Sequence, residues 1–100
     1  MDKKITLRHL EAFRALMLRR SVTAAAQSLE VTQPVVTRLI AEFEARIGMP
    51  LFERVKSRLQ PTSAATLLLE DVHQALMGIE RIRNISENVR FRRLQRLEVT

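Results

Sequence analysis

The stretch Ser21-Val22-Thr23-Ala24-Ala25-Ala26-Gln27-Ser28-Leu29-Glu30-Val31-Thr32-Gln33-Pro34-Val35-Val36-Thr37-Arg38-Leu39-Ile40 decides how this chain of 100 residues folds. Ser21 caps a short helix running from Val22 to about Leu29, because its hydroxyl can accept from a first-turn N–H. At the centre of that helix stand Ala24, Ala25 and Ala26, small side chains that let another helix come close. Glu30-Val31 makes a tight connection. Thr32 then precedes Gln33-Pro34, which puts proline in a first helical turn, where its missing N–H costs nothing. In this next helix Val36, Ile40, Phe43 and Ile47 form one apolar stripe, while Pro34, Thr37, Arg38 and Ala41 point roughly the other way. Gly48 ends it as a left-handed cap residue.

Upstream, Thr6 caps a helix over about 7–19 in which Leu7, Leu10, Phe13 and Met17 recur at helical spacing, with Arg8, Arg14, Arg19 and Arg20 mostly opposite. Downstream, Leu51-Phe52-Glu53-Arg54 and Leu59-Gln60-Pro61 are extended segments around a polar tip, Val55 to Arg58, and predict a small β-ribbon. Thr62 or Ser63 then caps a long helix. Its seam, Leu68, Val72, Ala75, Ile79, Ile82, Ser86 and Val89, alternates spacings of four and three, and Leu69 and Leu76 widen it. The core is too small to cover that stripe, so a second copy of the chain is expected to bury Leu68, Leu69, Val72, Ala75, Leu76, Ile79, Ile82 and Val89. The division is 1–62 for the compact part, 63–89 for the long helix and 90–100 for a basic hinge, with a first strand of something further near Leu94–Val99.

Apolar residues are 46% of the chain, but aromatic ones only 4%, so an aliphatic core built by helices is expected. The class is all-α with a small β-ribbon. The net charge is +6, and its excess lies early: residues 1–62 hold eleven Lys/Arg against six Asp/Glu, and 63–100 hold six against five. Such an imbalance attracts polyanions: DNA, RNA or an anionic membrane surface. Without cysteine there are no disulfides or thiolate metal sites, and no apolar run reaches the roughly 18–20 residues of a membrane span. A reducing cytoplasm is the default location, with no membrane partner. His9 and His73 lie on separate helices without a local acidic cluster, which gives no support to a metal site. Nucleophile-elbow glycines and a glycine-rich phosphate loop are both missing, so the chain reads as a binding protein without a cofactor, not an enzyme.

Two helices joined by so short a turn have the dimensions of a helix-turn-helix, whose second helix must hold short polar groups toward the major groove. Gln33, Thr37 and Arg38 are free of the apolar stripe and meet that requirement. Periodicity alone leaves open a plain amphipathic helix with a solvated outer face. The Ala-rich helix, the tight turn, the Thr-Gln-Pro start and the ribbon shortly afterwards together favour the first reading. Arg54, Lys56 and Arg58 place three cations and no acid within five residues, a composition suited to phosphates and shared with solubilising loops.

Leu10-Glu11-Ala12-Phe13, Ser21 to Ala26, Leu29 to Ile40, Glu44, Gly48-Met49-Pro50-Leu51-Phe52-Glu53-Arg54, and Thr62 with Ala64 resemble the N-terminal domain of LysR-type transcriptional regulators, over about Leu7 to Val89. Departures are few. Thr32 and Thr37 stand where serine is usual, Phe43 replaces a common leucine, Pro61 occupies a usual leucine position, and Ala65 one where glycine is frequent. The last two leave the junction between wing and linker open. The resemblance implies a winged helix-turn-helix followed by a dimerising linker helix. It also implies base or groove contact from Thr32, Gln33, Pro34, Thr37 and Arg38, and backbone contact from Thr23 and the wing, here Arg54, Lys56 and Arg58. The expected partners are an inverted-repeat operator duplex, a second copy of the chain and, for a C-terminal domain beyond this segment, a small-molecule effector. Sequence-specific regulation of bacterial transcription is the function implied. A basic RNA-binding or nucleoid-type helical protein is the alternative, and a protein-interaction module using only the long helix is a third.

Overall fold

The computed structural model describes residues 4–99, with side chains through residue 95. Its elements run α1 (Leu7–Arg19), α2 (Val22–Leu29), α3 (Gln33–Ile47), β1 (Phe52–Val55), β2 (Arg58–Pro61) and α4 (Ser63–Val99). Each early helix starts and stops where local chemistry directs. Thr6 caps α1, with His9 returning the bond: Thr6 N–H donates to His9 Nδ1 at 3.0 Å, and His9 N–H donates to Thr6 Oγ1 at 3.4 Å. Ser21 Oγ accepts from Ala24 N–H at 3.2 Å to start α2. Gly48, at φ 77°, closes α3.

The three short helices pack around an aromatic and aliphatic centre. Phe13, Phe43, Leu51, His9 and Val36 are its largest fully buried side chains. Phe13 meets Phe43 edge-on, with centroids 5.6 Å apart, and lies 5.9 Å from Phe52 of the ribbon. Ala25 and Ala26 are buried where α2 comes close to its neighbours, as their size allows. Glu44 fastens the ribbon to α3: its Oε2 accepts from the N–H groups of Leu51 at 2.7 Å and Phe52 at 3.2 Å.

The ribbon is an antiparallel pair with Phe52 opposite Pro61 and Val55 opposite Arg58. Its turn is tighter than the four-residue tip expected from sequence. Only Lys56 and Ser57 connect the strands, at φ 52° and 66°, the double left-handed geometry that suits a twisted two-residue hairpin. Pro61 sits at the ribbon's end. Thr62 secures the junction, donating its N–H to Leu51 O at 2.9 Å and its hydroxyl to Pro50 O at 2.9 Å, while Oγ1 accepts from Ala65 N–H at 3.2 Å. Thr62 is therefore the cap of α4. Ala65 is fully buried, so a methyl fits there and no glycine is needed.

Two readings of α4 are corrected. Val72 and Leu76, expected in a dimer seam, are 3% and 7% exposed within the single chain, belonging with Ala65 to its own core. Alternating spacing of three and four marks an apolar face without saying which neighbour covers it. The helix also does not stop at Val89: it continues through the stretch expected as hinge and strand to Val99. Arg, Gln, Leu and Glu in that tail are good helix formers, and no glycine or proline interrupts it. From Glu80 to residue 95 every described side chain is exposed, so α4 leaves the globular head as a rod. The whole measures 67 × 29 × 24 Å. Among the described residues, no helix is long and apolar enough to cross a membrane.

Candidate nucleic-acid interface

Helix α3 buries Val36, Leu39, Ile40 and Phe43, and that choice of inner face presents Gln33, Pro34, Thr37 and Arg38 outward. All five residues expected to reach bases, Thr32 included, are exposed and gather at the N-terminal half of one helix. Thr32 makes no side-chain capping bond, so its hydroxyl is not committed to holding the helix. Pro34 supports the helix start at the exposed end.

Beside this face lies a polar cavity of about 570 Å³ between the start of α2 and the ribbon. Thr23, Gln33, Arg54 and Arg58 line it, which brings together residues expected separately as base and backbone contacts. Lys56 does not line it and stands at the exposed tip. Arg54 Nη1 lies 3.5 Å from the carbonyl of Ser57, within donating reach across the turn. Arg20, placed by sequence only on the outer side of α1, also lines the cavity. Nothing in the spacing announced that, because the approach of α1's end to the ribbon is a product of the fold.

A second feature escaped the sequence. His9 is 1% exposed and stacks parallel to Phe43, with centroids 6.1 Å apart. Its Nδ1 accepts from Thr6 N–H, so Nε2 carries the proton and donates to Glu42 Oε1 at 3.0 Å. The other oxygen, Oε2, accepts from Arg38 Nη1 at 3.2 Å. A buried group of α1 is thus tied through one carboxylate to an arginine on the outer face of α3. Arg46 adds its charge, with Nη1 3.1 Å from His9 Nε2 and donating to Lys4 O at 3.0 Å. The His9 hydrogen bond is the largest cause that holds the Glu42 carboxyl below its ordinary range; burial, next in size, opposes it, and the bond and charge of Arg38 and the charge of Arg46 add to the lowering. His9 and Glu42 are 33 positions apart, which no local motif detects. No group of three or more potential metal ligands occurs among the described residues.

A short helix, a tight turn and a second helix with an exposed polar N-terminal end, followed by a cationic ribbon, form the arrangement expected of a winged helix-turn-helix. The family model for the bacterial regulatory helix-turn-helix protein, lysR family, matches residues 7–66. The chain belongs to the LysR family. It is 44% identical over 86 residues to the transcriptional activator protein LysR of Escherichia coli (strain K12), an alignment covering 86% of this chain and 28% of that protein. To the regulatory protein NocR of Agrobacterium fabrum (strain C58 / ATCC 33970) it is 40% identical over 95 residues, covering 95% of this chain and 32% of the relative. This LysR-family chain therefore spans about a third or less of the length of these relatives. Among solved structures, the DNA-binding domain of CbnR in complex with DNA matches at a TM-score of 0.77 and 32% identity, over 85% of this chain and 98% of that one. The BenM DNA-binding domain on a catB site matches at 0.80 and 26%, over 85% and 96%.

Proposed function

We propose that this chain is the DNA-binding and dimerising segment of a bacterial LysR-type transcriptional regulator, acting on double-stranded DNA in the cytoplasm by binding and not by catalysis. The observation that carries this is the exposed start of α3 beside a cavity lined by arginines and no acid. Thr32, Gln33, Pro34, Thr37 and Arg38 face the major groove, where glutamine pairs with adenine, arginine with guanine, and a threonine methyl meets the thymine methyl. Thr23, Arg54, Lys56 and Arg58 hold phosphates, which fix register without reading sequence. That the CbnR and BenM domains were solved with DNA supports the same docking here.

Dimerisation uses the face of α4 that the head leaves uncovered. Leu68, Ala75, Ile82 and Val89 recur every seven residues, with Gly78 and Ile85 interleaved, and Ile82 and Ile85 are 65% and 55% exposed. A methyl at Gly78 would meet nothing within 4 Å, so the chain's own fold does not require glycine there. Close approach of a second helix at Ala75 and Gly78 supplies the reason. Charge favours an antiparallel mate, since Glu70 and Asp71 lie early on the helix and Arg90, Arg92 and Arg93 late. Leu69, Val72, Leu76 and Ile79 contribute to the packing of the chain itself or to the edge of this face. A two-fold pair matches an operator of inverted half-sites. By the family resemblance, a small-molecule effector acts through a domain beyond this segment.

Selection of duplexes from a random pool by the purified chain tests the reading. Enrichment of an inverted repeat is expected; recovery of unenriched DNA, or preference for RNA, overturns sequence-specific duplex recognition.

A further inference from the structure

Arg20 ends α1 at φ 59°, in the left-handed region that residues bearing a Cβ occupy only at a cost. Glycine fills the position after a helix most easily. Strain alone nominates nothing, because Glu30 holds φ 58° at the end of α2 and does not line the cavity. Position separates the two residues. Arg20 lines the polar cavity with Thr23, Gln33, Arg54 and Arg58, and no carboxylate lines it with them.

The arginine is also held. Its Nε donates to Met17 O at 3.2 Å, anchoring the near side of the guanidinium to the end of α1. Among the described residues Arg20, Arg54 and Arg58 form no ion pair, so three cations share one cleft without an internal counter-charge. A guanidinium presents a planar fork of donors that fits two oxygens of one phosphate, and an anion between such groups offsets their mutual repulsion.

We propose that Arg20 is a phosphate-binding residue, closing the cavity from the end of α1 as Arg54 and Arg58 close it from the ribbon. This rests on the reading of the chain as a duplex-binding domain. On that basis the left-handed arginine is strain kept for binding: glycine would make the better helix end and the poorer DNA contact.

The test uses the 100-residue chain, a random-sequence DNA duplex and fluorescence anisotropy over a series of KCl concentrations, beside thermal melts of the free protein. Arg20→Gly should lower the magnitude of the log–log salt slope by about 0.9, the value for one phosphate. Its Tm should stay level or rise by up to about 4 °C as the strain is released. Arg20→Gln keeps a Cβ in the left-handed conformation, and should lose the same slope without the gain in Tm. Wild-type slopes in both variants overturn the assignment of Arg20, and a lowered Tm for Arg20→Gly overturns the claim that arginine is held there at a cost. A wild-type chain that binds no duplex, or binds it without salt dependence, overturns the DNA reading itself, an outcome separable from the other two.

Discussion

Gln33 and Arg38 stand on the same exposed face under different constraints. Gln33 lines the cationic cavity, whereas Arg38 is paired one turn along with Glu42, which His9 anchors from inside the head. Replacing either by alanine should cost about 1–3 kcal/mol at the preferred operator and less on random DNA, as loss of a base contact requires. Reselection of sites with Gln33→Ala is the check, and an unaltered consensus would remove its base-reading role. Arg58→Ala should weaken specific and random duplexes alike and reduce the salt slope by about 0.9. Glu42 has a consequence for acid stability. Its carboxyl is held below the ordinary value of 4.5, so its contribution is complete above that value and is lost as pH falls through the lowered one. Stabilities of wild type and Glu42→Gln, measured by denaturant melts, should differ near neutrality and converge in acid. A difference that persists undiminished in acid contradicts the linkage.

Among the elements, α4 has two faces, one covered by the head and one exposed. Leu76 is turned into the head, so Leu76→Ala should cost about 2–5 kcal/mol and lower the melting temperature. Ile82 is turned out. Ile82→Asp should leave the monomer folded and dissociate the dimer, because a charge buried across the seam has no partner. Sedimentation at micromolar concentration separates the two cases, and a fully dimeric Ile82→Asp chain would exclude this face as the main interface. The start of the ribbon is tied to α3 by one carboxylate, that of Glu44. Glu44→Ala strips the N–H groups of Leu51 and Phe52 of a charged acceptor, and should destabilise the head by about 1–3 kcal/mol. Faster amide exchange at those two positions is the direct readout.

At the scale of the whole molecule, a head bearing the α3 face is built on a helix of 37 residues, about 55 Å long at the ordinary helical rise, whose part from Glu80 onward projects as a rod. In the dimer proposed above, two such helices packed along the exposed α4 face would hold the two α3 helices at a set separation. Half-site spacing would then be a property of that dimer. Inserting about 5 bp between the halves of a selected operator turns one of them to the opposite side of the duplex. Binding should fall to that of a single half-site. Affinity unchanged by the insertion would mean that the heads engage DNA independently and that the rod does not set their spacing.

Helix starts, the turn between α2 and α3, and the outward polar end of α3 were all legible in the chain order, because caps, proline and helical periodicity act between residues a few positions apart. So was the cationic ribbon, apart from its exact turn. Other features required the fold. Val72 and Leu76 share a period with the outer face of α4, and only the docking of α1 against that helix shows that the head uses them. His9 reaches Glu42, and Arg20 reaches the wing cavity, across chain separations over which local patterns carry no information. Short-range chemistry is written in residue spacing; the partner of an apolar face or a lone charge is chosen when distant segments pack.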